Sequence, residues 1–452
     1  MAKINTKNIN FLKGPILSKI LLFCLPIFIG SVFQTFYNLV DSIIVGNYVS
    51  ADALAAVGTT APVSNLFVGM MTGFSTGASV VAAQLLGANQ KEKLKPAIST
   101  TLYFMVVTAA ILMIVGLGLS SYIMHWVNVP DNIYEATRTY FRIYVLGLLF
   151  MALYNFFAAF LRALGDSTTP LIFLIISSLL NVVGDLFFVL VLHMGVAGVA
   201  WATVIAQGIS VLLCIVYVRR KIPYFQFRKH EFVFDKALFR NILRLGIPSG
   251  IQASVTGLGF VVVQGLINSY GSVCIAAYTA ASKMEQIANI AMMSVSQGFA
   301  IYVGQNVGAA NIPRVKSGLR QVLIFGTVIS LIMTAVIYFF GPSLMRMFVK
   351  ASEIEVINVG AAFMKLWAPL VVLHALQECV VATLRGAGDS IFSMISMFFD
   401  LIIRMVMAYV FALAFGMGFM GIAYSLPCGW FASLACALIR YFTGAWKKKA
   451  VV

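Results

Sequence analysis

Apolar runs of eighteen residues or more recur along almost the whole sequence. A helix of about 20 apolar residues spans a hydrocarbon layer about 30 Å thick, and no soluble core accommodates so many such runs in one chain. Charge agrees with that reading. Only 10% of the 452 residues are charged while 61% are hydrophobic, which leaves too little polar surface for a water-soluble domain of this size. The fold class this predicts is an all-α polytopic membrane protein.

Glycine, proline and charge punctuate the runs into helices near 16–46, 54–86, 98–124, 133–163, 169–193 and 196–219. A second set follows near 240–269, 275–307, 317–341, 355–385, 391–415 and 418–441, giving twelve transmembrane helices. The most charged stretch, VRRKIPYFQFRKHEFVFDK at 218–236, lies between the sets. The expected organisation is therefore a six-helix bundle over 1–220, a cytoplasmic linker over 221–238, and a second six-helix bundle over 239–452.

The net charge of +16 is carried by segments between alternate spans: Lys3 to Lys19, Lys91 to Lys95, Arg219 to Arg244, Arg314 to Arg320 and Lys447 to Lys449. Loops on the other side, such as NYVSADA (47–53), SYGSVC (269–274) and FGMGFMG (415–421), have no basic residue. This positive-inside pattern places both termini in the cytoplasm of a multi-pass protein of the cytoplasmic (inner) membrane. It also gives the basic residues a role without nucleic acid, for which a basic face on a soluble domain is missing. The first apolar segment is too long for a cleavable signal peptide and is followed by DSIIVGN.

One phrase is written twice: LRALGDS at 161–167 and LRGAGDS at 384–390, 223 positions later. GVAGVAWA (195–202) returns as GFMGIAYS (418–425), QLLGAN (84–89) as QNVGAAN (305–311), and Pro26 as Pro248. Offsets that drift by only a residue or two indicate an internal duplication. Six spans per copy is an even number, so the two six-helix repeats are parallel, an arrangement that favours a secondary transporter. Arg162 with Asp166, and Arg385 with Asp389, are expected to tie the turns where the phrase falls.

Enzymatic machinery is missing from the sequence. There is no GxxxxGK[ST], GxSxG or HExxH, and the four histidines (His125, His193, His230, His374) are too dispersed to share a metal. The six cysteines (Cys24, Cys214, Cys274, Cys379, Cys428, Cys436) show no metal spacing and are expected to be small buried hydrophobes. The chain is expected not to be an enzyme and to use no cofactor, so transport must draw on an ion gradient or on the substrate's own gradient.

Ionisable groups within hydrocarbon cost roughly 2.5–3.5 kcal/mol or more each, so those present need a reason. QTFYNLVD (34–41) sets Gln34, Tyr37, Asn38 and Asp41 at i, i+3, i+4 and i+7, one polar stripe on an apolar helix. NVVGD sets Asn181 and Asp185 one turn apart, and Thr203 adds a hydroxyl from the next helix. At about 1.5 Å per residue these groups reach comparable depths. Four oxygen-bearing side chains make a plausible proton or hard-cation site, with sodium as the metal it could take. Two carboxylates in low dielectric cannot both ionise cheaply, so the pair is expected to be proton-sensitive. Pro26, fifteen residues before Asp41, is a hinge candidate.

The second half differs in chemistry. Lys283, Glu285, Lys365, Glu378, Asp400 and Arg404 fall within its spans, Asp400 and Arg404 at i, i+4. Arg404 occupies the repeat position of Asn181, so the cation site has not been duplicated. The methionines Met284, Met292, Met293, Met394, Met397, Met405 and Met407 could line an adaptable cavity, and packing or lipid-facing roles fit them better.

These features together, the two six-helix halves, Pro26 with Asp41, the NxxxD pair Asn181 and Asp185, and LRGAGDS at 384–390, resemble the multidrug and toxic compound extrusion (MATE) family over essentially the whole chain. The resemblance implies proton- or sodium-coupled antiport of organic cations and other drugs by alternating access. It implies Asp41, Asn181, Asp185 and Thr203 as the coupling-cation site, with Gln34, Tyr37 and Asn38 beside it in a substrate cavity to which Glu378 is also assigned. One branch of the family adds a carboxylate on its seventh and another on its tenth helix. Thr256 and His374 stand at the corresponding positions here, which favours coupling through the first half. The expected partners are the lipid bilayer and small, cationic, amphipathic molecules, for a monomeric xenobiotic exporter. The alternative is a lipid-linked oligosaccharide flippase of related architecture, whose anionic substrate would need a basic cavity.

Overall fold

A computed structural model describes residues 9–228 and 231–451, except for the side chains of 256–261. Lys3 and Lys7 of the basic N-terminus, His230 and the side chain of Thr256 thus lie outside the described residues. The first half runs through α1 (Ile16–Ile44), α2 (Ala51–Gly87), α3 (Leu94–Gly118), α4 (Tyr134–Leu146 with Leu148–Ala163), α5 (Thr168–Leu186) and α6 (Gly195–Lys221). The second runs through α7 (Lys236–Asn268), α8 (Ser272–Gly308), α9 (Ile312–Met345), α10 (Ile354–Trp367 with Val371–Gly386), α11 (Ser390–Tyr409) and α12 (Gly418–Phe442). Among the described residues, ten helices are long and apolar enough to cross a membrane, and α4 makes an eleventh if its two parts are one span. The helix α7, 33 residues long, stands at the repeat position of α1.

Three expected helices are broken. The first ends at Gly118, and a separate short helix, Ser120–Trp126, follows Leu119. The second, α4, bends by 42° at Gly147, where a Cβ would press on Val204 Cγ2 at 2.8 Å. The third, α10, passes through a 3-10 turn at Ala368–Leu370, where Pro369 has no N–H to offer the helix ladder. The breaks in α4 and α10 fall at the same place in the repeat. Pro26, by contrast, sits inside the continuous helix α1.

The repeated phrase is a helix stop followed by a helix start. Gly165 and Gly388 adopt φ of +92° and +94°, the left-handed region where glycine pays no Cβ penalty. Around each, two backbone bonds close the preceding helix: Gly165 N to Arg162 O (2.9 Å) with Asp166 N to Leu161 O (2.9 Å), and Gly388 N to Arg385 O (3.0 Å) with Asp389 N to Leu384 O (2.8 Å). Asp166 Oδ1 then accepts from Thr168 N and Thr169 N, capping α5. The expected Arg385–Asp389 tie is replaced. Arg385 donates to Ser296 Oγ at 2.8 Å, and Asp389 pairs with Arg440 Nε at 2.7 Å from the end of α12. With Arg385 turned to Ser296 on α8, the buried carboxylate takes its cation from α12 instead.

Two compact units emerge, and their boundaries cross the sequence halves. One gathers Leu25–Ser254 with Ile9 and Asn10, the other Phe11–Cys24 with Val255–Val451. The first unit therefore includes the linker. Lys95 Nζ meets Glu231 Oε1 at 2.8 Å, Ser99 Oγ donates to Val233 O at 2.6 Å, and Phe225 sits against Phe156, Phe157 and Phe160. The same unit also takes the start of α7. Gly69, Gly73 and Gly77 on α2 face Gly246, Gly250 and Ser254, and a Cβ at Gly73 would collide with the Gly250 backbone. A core of Met71, Met105, Phe141, Val145 and Leu148 joins α2, α3 and α4. In the second unit, Ile267, Tyr278, Met345, Phe363, Trp367 and Trp430 form the corresponding core.

Two outcomes follow for stability in detergent, both measured by thermal unfolding of purified protein. Arg440→Ala leaves Asp389 buried without its cation and is expected to cost about 3 kcal/mol, with much of the loss recovered when Asp389→Asn is added. Gly73→Val forces α2 off the Gly250 backbone and is expected to cost about 3 kcal/mol, more than Gly58→Val, where a Cβ meets no atom within 4 Å.

Candidate functional site

The first unit encloses a cavity of about 620 Å³. The helix α1 brings Gln34, Tyr37, Asn38 and Asp41 to its wall, so the stripe expected at i, i+3, i+4 and i+7 faces one chamber. Asn181 comes from α5 and Thr203 from α6. Asp185 stands behind them, fully buried, one turn beyond Asn181 on the same helix.

The four groups of the expected cation site converge. The carboxyl groups of Asp41 and Asp185 are within hydrogen-bonding reach of each other. Asn181 Nδ2 donates to Thr203 Oγ1 at 3.1 Å, and Thr203 Oγ1 donates in turn to Val199 O at 3.1 Å. The Tyr37 hydroxyl also reaches Thr203. That chain of bonds uses one amide hydrogen and leaves oxygens over. Asp41 Oδ1, both Asp185 oxygens and Asn181 Oδ1 are buried with no donor among the described residues. Buried oxygens without donors are costly unless something positive or protic comes between them. Two carboxyls so placed in low dielectric cannot both ionise cheaply.

Several lining residues were not singled out from sequence. Tyr140 and Tyr144 on α4 stack with ring centroids 6.2 Å apart and face the site. Ser64 and Asn65 on α2, Asn155 on α4 and Gln207 on α6 complete a wall of carboxamides and hydroxyls. Their signal was present: isolated amides in apolar spans, and two tyrosines at i, i+4. Glu378, which the sequence reading grouped with this cavity, does not line it. It projects from α10 into the second unit and is 8% exposed, within electrostatic range of Arg385 on its own helix. No lysine, arginine or histidine lines the cavity among the described residues.

The comparisons with known proteins bear on the family and the fold. A family model described as MatE matches residues 26–187 and again 248–410, so each half is recognised separately. The chain is 29% identical over 440 residues to the probable multidrug resistance protein YoeA of Bacillus subtilis, covering 95% of this chain and 94% of that protein. To YpnP of the same organism, also a probable multidrug resistance protein, it is 28% identical, with 98% of each chain covered. Among solved structures, a MATE in complex with MaL6 superposes with a TM-score of 0.91 at 22% identity, over 98% of this chain and 100% of that one. The outward-facing conformation of a multidrug resistance MATE family transporter of the MOP superfamily gives 0.90 at 22% identity, over 98% and 99%. With both halves matched by one family model and relatives aligned nearly end to end, the chain belongs to the MATE family of multidrug transporters.

Proposed function

We propose that the chain exports organic cations across the cytoplasmic membrane in exchange for protons or sodium ions, by alternating access. The observation that carries this reading is the acidic pair. Asp41 opens onto the cavity and Asp185 backs it, and between them are oxygens that no protein donor fills. A cationic substrate in the cavity meets Asp41 with no basic side chain to repel it, and the stacked faces of Tyr140 and Tyr144 attract a cation further. A driving ion that enters at Asp41 takes the same negative charge, so ion and substrate compete for one group.

The gradient supplies about 2.3 kcal/mol per 100 mV for each inward-moving proton, plus its concentration difference. Binding of the ion lowers the cavity's hold on its cargo and releases it outward. In α1, which carries Asp41, Pro26 is where the helix can bend, since its ring removes a backbone bond. The flippase reading finds less support: an anionic pyrophosphate would face an acidic pair in a cavity without a lining base.

Purified protein in liposomes, loaded with a cationic dye and given a pH gradient or a sodium gradient in turn, tests the proposal. Asp41→Asn is expected to lower gradient-driven efflux by roughly tenfold or more while leaving the amount of protein in the membrane unchanged. Efflux at the wild-type rate in that variant would remove Asp41 from the coupling role.

A further inference from the structure

The linker between the two copies is folded, and its folding sorts charge. Residues 221–238 contain two acids, Glu231 and Asp235, and both are engaged within the first unit. Glu231 Oε1 meets Lys95 Nζ at 2.8 Å, and its Oε2 accepts from Arg228 N at 2.7 Å. Asp235 Oδ1 accepts from Ala237 N and Leu238 N and so caps the first turn of α7. Gln226 Nε2 donates to Arg219 O at 3.2 Å, which draws the end of α6 to the linker. The bases go the other way. Arg219, Arg220, Lys221, Arg228, Lys236 and Arg240 are exposed and have no carboxylate partner among the described residues.

Apolar side chains of the linker are divided too. Phe225 is buried, whereas Phe232, Val233 and Phe234 are 39%, 48% and 45% exposed. Each exposed phenylalanine is held by a neighbouring ring: Phe232 by Phe227, with centroids 4.6 Å apart, and Phe234 by Phe239 at 5.1 Å. The level at which this group stands is fixed by α3 and the turn that leads into it. Lys95, Ser99, Tyr103, Val107 and Ile111 follow one another there at intervals of four, along one side of the helix. Lys95 holds Glu231, and Ser99, fully buried, donates to Val233 O at 2.6 Å. Tyr103, Val107 and Ile111 stand exposed on an apolar span, which is the side such a helix offers to lipid. Phe232, Val233 and Phe234 therefore lie where the lipid-facing stretch of α3 begins, at the level of the headgroups.

We propose that this face of the linker docks the anionic phospholipid headgroups of the leaflet it borders, with Phe232 and Phe234 entering between headgroups and acyl chains while the bases meet phosphate. Aromatic side chains set beside clustered Lys and Arg suit such a surface, where attraction to negative lipid is strong close by and screened beyond a Debye length. Orientation of a chain in the membrane requires positive charge only. It does not require that both acids turn inward, or that three apolar side chains stand out from a folded linker. An acidic protein would answer the bases but not the apolar group level with the lipid-facing side of α3. Asp235 caps α7, and its backbone N–H donates to Thr100 Oγ1 at 2.9 Å, so headgroups that hold the linker also hold the start of α7 beside α3. The contact is independent of what the cavity carries.

Replacement of Phe232 by the photocrosslinking analogue benzoylphenylalanine keeps an aromatic ring in place and marks whatever lies against it. Full-length protein is set in nanodiscs of four parts phosphatidylcholine to one part phosphatidylglycerol, irradiated, and digested for mass spectrometry. Lipid adducts on the linker peptide are expected, with phosphatidylglycerol enriched over its share of the bilayer by roughly fivefold or more, the weight of one basic residue at an anionic surface. The enrichment is expected to vanish when Arg228→Gln, Lys236→Gln and Arg240→Gln are combined, changes to exposed side chains that take no part in an ion pair among the described residues. It is expected to shrink in molar salt as well. Adducts in the bilayer's own proportions while the bases are intact, or adducts to protein in place of lipid, would overturn the proposal. An enrichment that survives the triple replacement would overturn it equally.

Discussion

Hydrocarbon offers no water to a stranded polar group, and this condition governs nearly every feature of the molecule. Backbone groups are satisfied by helices. Where a helix must stop, as at Gly165 and Gly388, the stop is built so that its last carbonyls are taken up by the turn and, at Asp166, the next helix's first amides by a side chain. Serine and threonine hydroxyls throughout the spans return to carbonyls three or four residues back, as Thr101 does to Ala97 and Thr383 to Cys379. Against this background, oxygens left without a donor are conspicuous. In the first unit they gather at Asp41, Asp185 and Asn181, so the same rule that builds the fold marks the site.

Much of this was legible in the sequence because its causes are local or periodic. Apolar run length gives the spans, residue spacing gives the Asp41 stripe, and a seven-residue phrase gives the duplication. Less legible were effects made by distant segments. The partner of Asp389 is Arg440, fifty-one residues away, where the sequence suggested Arg385, because only the packed helices bring that guanidinium to the turn. At the bend, Gly147 leaves the room that Val204 of α6 occupies, a contact between segments 57 residues apart. Tyr140 and Tyr144 face the cavity because of how α4 packs, which their spacing alone does not fix. Glu378 was misplaced for a related reason: a carboxylate in a span signals an interior, but spacing alone does not say which one.

The two copies show how a duplicated bundle diverges. Matching positions keep their inward direction while the side chains change: amides and hydroxyls around an acidic pair in one unit, an arginine between two acids with histidine and tryptophan in the other. At the repeated turn, Thr169 meets the Tyr217 hydroxyl at 3.3 Å in the first copy, and Arg440, at the repeat position of Tyr217, meets Asp389 in the second. Geometry is retained where helix packing demands it, and chemistry is free to drift where only a filled interior is required.

The compact units do not coincide with the repeats: the opening turns of α1 lie with the second copy, and those of α7 with the first. The glycine face of α2, with Gly69, Gly73 and Gly77, is shaped for a backbone that its own copy does not provide. Each sequence half therefore completes its compact unit only with the start of the other half's first helix, so a cut between the two copies would leave both units unfinished.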